Sequence, residues 1–229
     1  MDDKILIAKR VARELKEGSL VNLGIGLPTL VPRYLPPAVE VYFQSENGII
    51  GMVPVPGDGM EEPSLTDAGG GFIGAIPGAA SIDSCLSFGL IRGGHLDLTI
   101  LGGLEVDEQG RLANWVVPGK MLPGMGGAMD LVTGAKRVIV AMSHTANGKP
   151  KILKRCTLPL TSVRRVSLIV TEMAVIEPTE EGLLLREIAP GVSIEKVVAA
   201  TEANLIVPAH VPEMALGPEA GVTNSQLQN

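Results

Sequence analysis

The sequence is poor in aromatic residues, with one Trp, two Tyr and three Phe in 229 positions. No aromatic platform accompanies a basic run, and acidic residues outnumber basic ones by 25 to 19, for a formal charge of −6. A nucleic-acid surface is therefore not expected. Histidine is as scarce: His95, His144 and His210 stand far apart and make neither a metal pair nor a Ser/His/Asp arrangement. The two cysteines, Cys85 and Cys156, lack metal-ligand spacing, so no metal site is expected. Both cysteines read as small buried core residues, which fits a reducing cytoplasm. Hydrophobic runs stop short of the roughly 20 residues needed to span a bilayer. Met1-Asp2-Asp3-Lys4 resembles neither a signal nor a transit peptide. A cytoplasmic location and no membrane partner are expected.

What the chain does have is apolar residues (45%), 28 glycines and 17 prolines. That supports one sizeable core, with two domains cramped. Asp3 reads as the N-cap of a first helix that ends at Gly18. A strand from Ser19 to Leu23 leads into Gly24-Ile25-Gly26-Leu27-Pro28, with Pro28 at the first turn of a helix to Tyr34. Val39 to Phe43 reads as a buried strand, and Gly51 to Gly71 as a long loop lining the site or a subunit contact. A strand at Phe72 to Ile76, a helix capped by Ser81 and a strand at Leu96 to Leu101 come next. Asp107 to Gly110 turns a hairpin-like excursion. A helix opens at Ala128 and ends at Gly134. Strands at Arg137 to Met142 and Val166 to Thr171 follow, then an edge strand at Leu183 to Ile188 and a last helix capped by Ser193. Alternating strands and helices argue for an α/β fold, a single domain with an open, mostly parallel sheet layered with helices. The domain is read as residues 1–207, and residues 208–229 as a loosely ordered C-terminal tail.

The chemistry centres on Gln44-Ser45-Glu46-Asn47-Gly48-Ile49-Ile50-Gly51. Glu46 ends an apolar strand, where open α/β sheets place ligands. Asn47-Gly48 is a turn signal, since both residues tolerate positive φ. An ordinary solvated loop glutamate fits the same letters. Asn22 reads either as a group orienting Glu46 or substrate, or as a turn residue. Gln44 has the same ambiguity, because strand alternation sends it to the side of Glu46. Gly24 and Gly26 lie in a strand–turn–helix arrangement that suits an anion, though a third glycine of the dinucleotide fingerprint is missing. The run Gly124-Met125-Gly126-Gly127 lets backbone approach a ligand closely, or packs a helix on a sheet.

Ser45-Glu46-Asn47-Gly48 resembles the active-site motif of the β subunit of 3-oxoacid CoA-transferases, the family I CoA-transferases. Five further stretches match in the same order. They are Asn22 to Thr29, Ile91-Arg92-Gly93-Gly94-His95, Leu112-Ala113-Asn114-Trp115, Pro118-Gly119-Lys120-Met121 and Gly124 to Val132. The resemblance covers about residues 4 to 205. It implies a ribose-5-phosphate-isomerase-like sheet, a Glu46 nucleophile and a γ-glutamyl-CoA thioester. It also implies a backbone oxyanion donor at Gly127, with Gly126 beside it; Asn22, on its reading as the group that orients Glu46, is expected to join them as a catalytic residue. Gln44, Gly24, Gly26 and Gly124 are the expected contacts for substrate or CoA. No permanently bound cofactor is expected; coenzyme A is a co-substrate. The implied partner is a CoA-transferase α subunit, in an α2β2 assembly, with acyl-CoA and carboxylic acid as substrates.

The chain departs from the family pattern at Gly51-Met52-Val53-Pro54, along Gly57 to Gly71 and after Val207. The first two departures bear on the acid accepted more than on the chemistry. Two other readings keep the fold: an acyl-CoA hydrolase using the same site, and a non-catalytic ligand sensor. Arg92 and Lys120 are read as solvated charges, and His95 as structural.

Overall fold

A computed structural model describes residues 2–55, 57–119 and 125–216. The first helix, α1, is Asp3–Ala12. Its N-cap is Asp2, not Asp3: the Asp2 carboxylate accepts from the Lys4 N–H at 2.7 Å, leaving Asp3 as a first-turn acid. Ile7, Ala8, Val11 and Ala12 are its buried stripe.

The strands, in chain order, are β1 (Leu20–Leu23), β2 (Tyr42–Ser45), β3 (Ile49–Val53), β4 (Gly74–Ser81) and β5 (Leu98–Leu101), then the short β6 (Glu105–Asp107) and β7 (Leu112–Ala113). After these come β8 (Arg137–Ala141), β9 (Thr145–Ala146), β10 (Lys149–Pro150), β11 (Ile152–Leu153), β12 (Leu168–Val170), β13 (Ala174–Pro178), β14 (Leu183–Ile188) and β15 (Leu205–Ile206). A 3₁₀ helix (Leu27–Tyr34) follows β1, and three further α-helices are α2 (Ser84–Arg92), α3 (Ala128–Gly134) and α4 (Ile194–Ala199).

Ten strands form one sheet in the order β15-β14-β13-β12-β8-β5-β1-β2-β3-β4. Its middle, β12-β8-β5-β1-β2, is parallel throughout. Antiparallel hairpins extend both ends, β3 and β4 beyond β2, and β13 and β14 beyond β12. Alternation sends Val21, Leu23, Phe43, Leu98, Ile100, Ile139 and Val170 to the side of α1. Leu101, Val138, Val140 and Ile169 go to the other face, with Ile91 of α2 and Leu131 of α3. The mixed α/β sheet between two helical layers is thus the expected class. The excursion around Asp107 to Gly110 is the β6–β7 hairpin, joined by β11 in a small separate sheet.

Several elements differ from expectation. The segment read as loop from Gly51 holds most of β3: Gly51 sits at φ +90 where the β3–β4 register shifts between Ile50 and Met52. A glycine that reads as a breaker is here the residue of an irregularity within a strand. Strand β14 is not an edge, because β15 pairs outside it. The cap of α2 is Asp83 rather than Ser81, its Oδ1 accepting from Leu86 N at 2.8 Å. Cys85 is exposed rather than buried, since α2 turns Ser87 and Ile91 inward and carries Cys85 on the opposite side. Past Val207, among the described residues, the backbone pairs at two points: Ile188 N–H donates to Pro212 O, and Met214 N–H to Ile188 O. Met214 is buried against the α1-side core. No helix among the described residues is long and apolar enough to cross a membrane.

Candidate active site

The register of β2, β1 and β5 sets Gln44 beside Asn22 and Asn22 beside Thr99. Their apolar neighbours along each strand face α1, so these three polar side chains share the opposite face. Helix α2 covers them and brings Ser87. Asn22, Gln44, Ser87 and Thr99 are each 0% exposed. A buried polar group is costly unless bonded, and all four are bonded to one another. Asn22 Nδ2 donates to the Gln44 carbonyl (3.2 Å), Gln44 Oε1 (2.9 Å) and Glu46 Oε2 (3.1 Å). Gln44 Nε2 donates to Ser87 Oγ at 2.9 Å, and Ser87 Oγ donates to the Glu46 carbonyl at 2.9 Å. Thr99 Oγ1 donates to Asn22 Oδ1 at 3.2 Å.

Glu46 is the first residue past β2 and is half-buried. The turn that carries it depends on Gly48, whose φ is +125 and whose missing Cβ leaves room for the Ile82 carbonyl. Gly48 N–H donates to Ser45 O at 3.0 Å, and Gly48 O accepts from Ile82 N at 2.8 Å. The two residues flanking Glu46 hold a loop beside it. Ser45 Oγ accepts from Ala68 N at 2.9 Å, and Asn47 Nδ2 donates to Thr66 O at 2.7 Å. Asp67 closes that loop, its Oδ1 accepting from the Gly69 and Gly71 N–H groups at 2.8 and 2.9 Å. The side chain of Ile25, 71% exposed, lies against Gly69.

Gly127 lies on the other flank of Glu46. It is the N-cap of α3, and a Cβ built on it would stand 3.0 Å from Glu46 Cγ, 3.4 Å from Oε1 and 3.3 Å from Phe88 Cζ. Backbone therefore meets the carboxylate where any side chain would crowd it. Gly126, at φ +52, faces open space. Two ties hold α3 in place. Arg92 Nε donates to Asp130 at 2.7 Å, joining α2 to α3. Arg164 donates to the carbonyls of Val132, Thr133, Ala135 and Lys136 at 2.9, 2.9, 2.6 and 3.0 Å, closing the helix's C-terminal end.

Glu46, Asn22, Gln44 and Gly127 thus converge. Gln44 lies inside the network with both ends of its amide engaged, so the substrate contact expected of it becomes a structural one. Gly24 is also a packing residue: its N–H donates to Ile100 O at 2.8 Å, and a Cβ would meet Ile100 O and Leu101. Gly26, at φ +85 before the 3₁₀ helix, keeps open space above its Cα. Gly124 and Lys120 lie outside the described residues. Ser87 and Thr99 escaped the sequence reading, although each is a polar residue at an inward position of an otherwise apolar face. Among the described residues no group of three His, Cys, Asp or Glu side chains could hold a metal ion. His144, past the end of β8, is fully buried between Thr171 and Thr201, and burial pushes its ring down to about 4. It is a neutral packing group.

A family model described as Coenzyme A transferase matches residues 4–200. The β subunit of the acetate CoA-transferase of Escherichia coli (strain K12) is 55% identical over 210 residues, which cover 91% of this chain and 96% of that protein. One subunit of the succinyl-CoA:3-ketoacid coenzyme A transferase of Helicobacter pylori (strain ATCC 700392 / 26695) is 49% identical over 202 residues, 88% of this chain and 97% of that protein. Among solved structures, the apoenzyme of the acyl-CoA transferase YdiF from Escherichia coli O157:H7 superposes with a TM-score of 0.75 at 24% identity. That alignment covers 93% of this chain but 43% of that longer chain, and shows the shared fold.

Proposed function

The chain belongs to the coenzyme A transferase family, matching its β subunits, and we propose that it moves CoA from an acyl-CoA to a free carboxylic acid through a covalent thioester on Glu46. The observation that carries this reading is the asymmetric setting of the Glu46 carboxylate. Oε2 is held by Asn22, and Oε1 faces the Gly127 backbone.

In the first step Oε1 attacks the thioester carbonyl, a C–O bond forms, the C–S bond breaks and CoA thiolate leaves a mixed anhydride. The thiolate then attacks Cδ of Glu46. Its anhydride C–O bond breaks, the first acid departs as carboxylate, and the γ-glutamyl-CoA thioester remains. A second carboxylate reverses both steps. One carboxylate enters and one leaves, so no net proton moves. This is nucleophilic catalysis with ping-pong kinetics.

Each attack generates a tetrahedral oxyanion. In this reading the donor is the backbone N–H of Gly127, which packs against the carboxylate at the start of α3, and one such donor is worth about 2.7–4 kcal/mol in the transition state. Once Oε1 is acylated, Oε2 is the glutamyl carbonyl oxygen, and Asn22 Nδ2 is already 3.1 Å from it. The charge that forms there on thiolate attack meets a donor in place.

The Escherichia coli relative is by name a β subunit. We take a CoA-transferase α subunit as the partner of this chain, in an α2β2 assembly that shares the CoA groove. Ile25, Phe72 and Met125, exposed apolar side chains on the loops near Glu46, suit either a short acyl chain or the partner's cover. Acetate and 3-oxo acids are the first acids to test, given the relatives' names.

The test is peptide mass spectrometry of the reconstituted αβ complex, held with acetyl-CoA or acetoacetyl-CoA and reduced with borohydride. A reduced glutamyl group on the peptide carrying Glu46 is the expected result. An unmodified Glu46 in a complex that still exchanges CoA would overturn the mechanism.

A further inference from the structure

We propose that Ser87 and Thr99 are positioning residues of this reaction, acting through Gln44 and Asn22 to orient Glu46; the proposal rests on the CoA-transfer reading above. A backbone carbonyl only accepts. The Glu46 carbonyl therefore obliges the Ser87 hydroxyl to donate to it, at 2.9 Å. With its single hydrogen committed, Ser87 Oγ accepts from Gln44, so the Gln44 amide must turn Nε2 toward Ser87 and Oε1 toward Asn22. The Gln44 carbonyl imposes the same on Asn22, whose Nδ2 must face it. Asn22 Oδ1 then points at Thr99, whose hydroxyl donates.

Two acceptor-only carbonyls thus set the orientation of two amides and two hydroxyls. In this arrangement the two hydrogens of Asn22 Nδ2 serve the Gln44 carbonyl, Gln44 Oε1 and Glu46 Oε2, one of them shared, and Asn22 presents N–H to the carboxylate. Glu46 is gripped twice, by its carbonyl through Ser87 and by its carboxylate through Asn22. The chain of bonds spans three adjacent parallel strands and the helix above them; Asn22, Gln44, Ser87 and Thr99 are buried, so no solvent competes for the bonds among them. Removing the Ser87 hydroxyl frees the Gln44 amide to flip, which would set its N–H groups against those of Asn22. Removing the Thr99 hydroxyl leaves Asn22 Oδ1 buried with no donor. Either loss reaches the nucleophile without touching substrate.

The experiment measures single-turnover formation of the Glu46–CoA thioester in the αβ complex mixed with acyl-CoA and no acceptor acid. Wild type, Ser87→Ala, Thr99→Val and Thr99→Ser are compared well below their melting temperatures. Ser87→Ala is expected to slow thioester formation by about 10- to 100-fold, the scale of a misplaced reacting group. Thr99→Val, which keeps shape and loses the hydroxyl, is expected to slow it about tenfold, and Thr99→Ser to restore it to within about threefold. The loss should fall on kcat, with KM for acyl-CoA within about twofold, because the relay lies under the nucleophile and not in the CoA groove. A purely structural role would lower melting temperature and leave the rate of the folded complex unchanged. If Ser87→Ala does not assemble, the Thr99→Val and Thr99→Ser pair decides alone. Rates within about twofold of wild type for Thr99→Val overturn the positioning role and leave CoA transfer standing. A wild-type complex that turns over with no trapped thioester overturns both.

Discussion

Gly127 and Glu46 are packed backbone against carboxylate: a Cβ on Gly127 would lie 3.0 Å from Glu46 Cγ and 3.4 Å from Oε1. The φ of Gly127, −85, is open to any residue, so the need for glycine here is one of space rather than of backbone conformation. Gly127→Ala should therefore fold and assemble, but displace the Glu46 carboxylate or the nearby Phe88 ring. A fall in kcat of about 10²-fold, with a melting temperature close to wild type, is the expected outcome in steady-state and thermal measurements.

Gly48 carries the opposite demand. At φ +125, with the Ile82 carbonyl where a Cβ would go, alanine is both strained and blocked by backbone. Gly48→Ala should cost about 1–3 kcal/mol for the strain alone and more for the clash, and shift the turn that carries Glu46. Urea unfolding should show the loss of stability, and thioester trapping should show loss of activity in the fraction that remains folded.

Asn47 is exposed and ties the loop around Asp67 to the Glu46 turn through Thr66 O. Asn47→Ala removes one hydrogen bond, worth about 0.5–1.5 kcal/mol to that contact, without opening the core. Global stability should hardly move. Cleavage of residues 64–73 by a protease should speed up, and KM for acyl-CoA should rise more than kcat falls. Unchanged proteolysis would show that the loop is held by other means.

His144 makes stability depend on pH. Thr201 Oγ1 gives its hydrogen to Val197 O, so it accepts from His144 Nε2. Thr171 Oγ1 already accepts from the Met173 and Ala174 N–H groups, and its one hydrogen has two acceptors in reach, Ala174 O at 3.2 Å and the nearer Nδ1 at 2.9 Å. A neutral ring fits this setting. Its folded value of about 4 lies below the ordinary 6.5, so between these values the unfolded chain binds the extra proton. The contribution is complete above pH 6.5 and is lost as pH falls toward 4, to a total of about 3 kcal/mol. Glu14, held low by Arg137 and Arg10 against its burial, contributes above its ordinary 4.5 and adds loss only below that. Denaturant titrations from about pH 7.5 to 4.5 should show stability falling below pH 6.5, and His144→Gln should flatten that slope.

The sheet was legible where strands are apolar and parallel. Leu96 to Leu101, Arg137 to Met142 and Val166 to Thr171 read as strands because both faces are buried, which gives continuous hydrophobic runs. Strands β3 and β4 were not read to their full extent. Gly51, Gly74, Pro77 and Gly78 are the letters of a loop, and only the pairing of β3 with β2 and of β4 with β3 makes them a sheet. The reach of the chain past Val207 was hidden in the same way, since Ile188 supplies both backbone partners from more than twenty residues away.

By itself the sequence determined the family, and it singled out the proposed nucleophile and its turn. Those rest on contiguous residues, Ser45 to Gly48, whose chemistry and conformational needs are local. The tertiary structure decided what surrounds Glu46. Asn22 stands 24 residues before it, Ser87 41 after it and Thr99 77 from Asn22, and nothing in their spacing joins them. They meet because parallel strands bring distant segments into register, and burial then requires every polar group among them to find a partner.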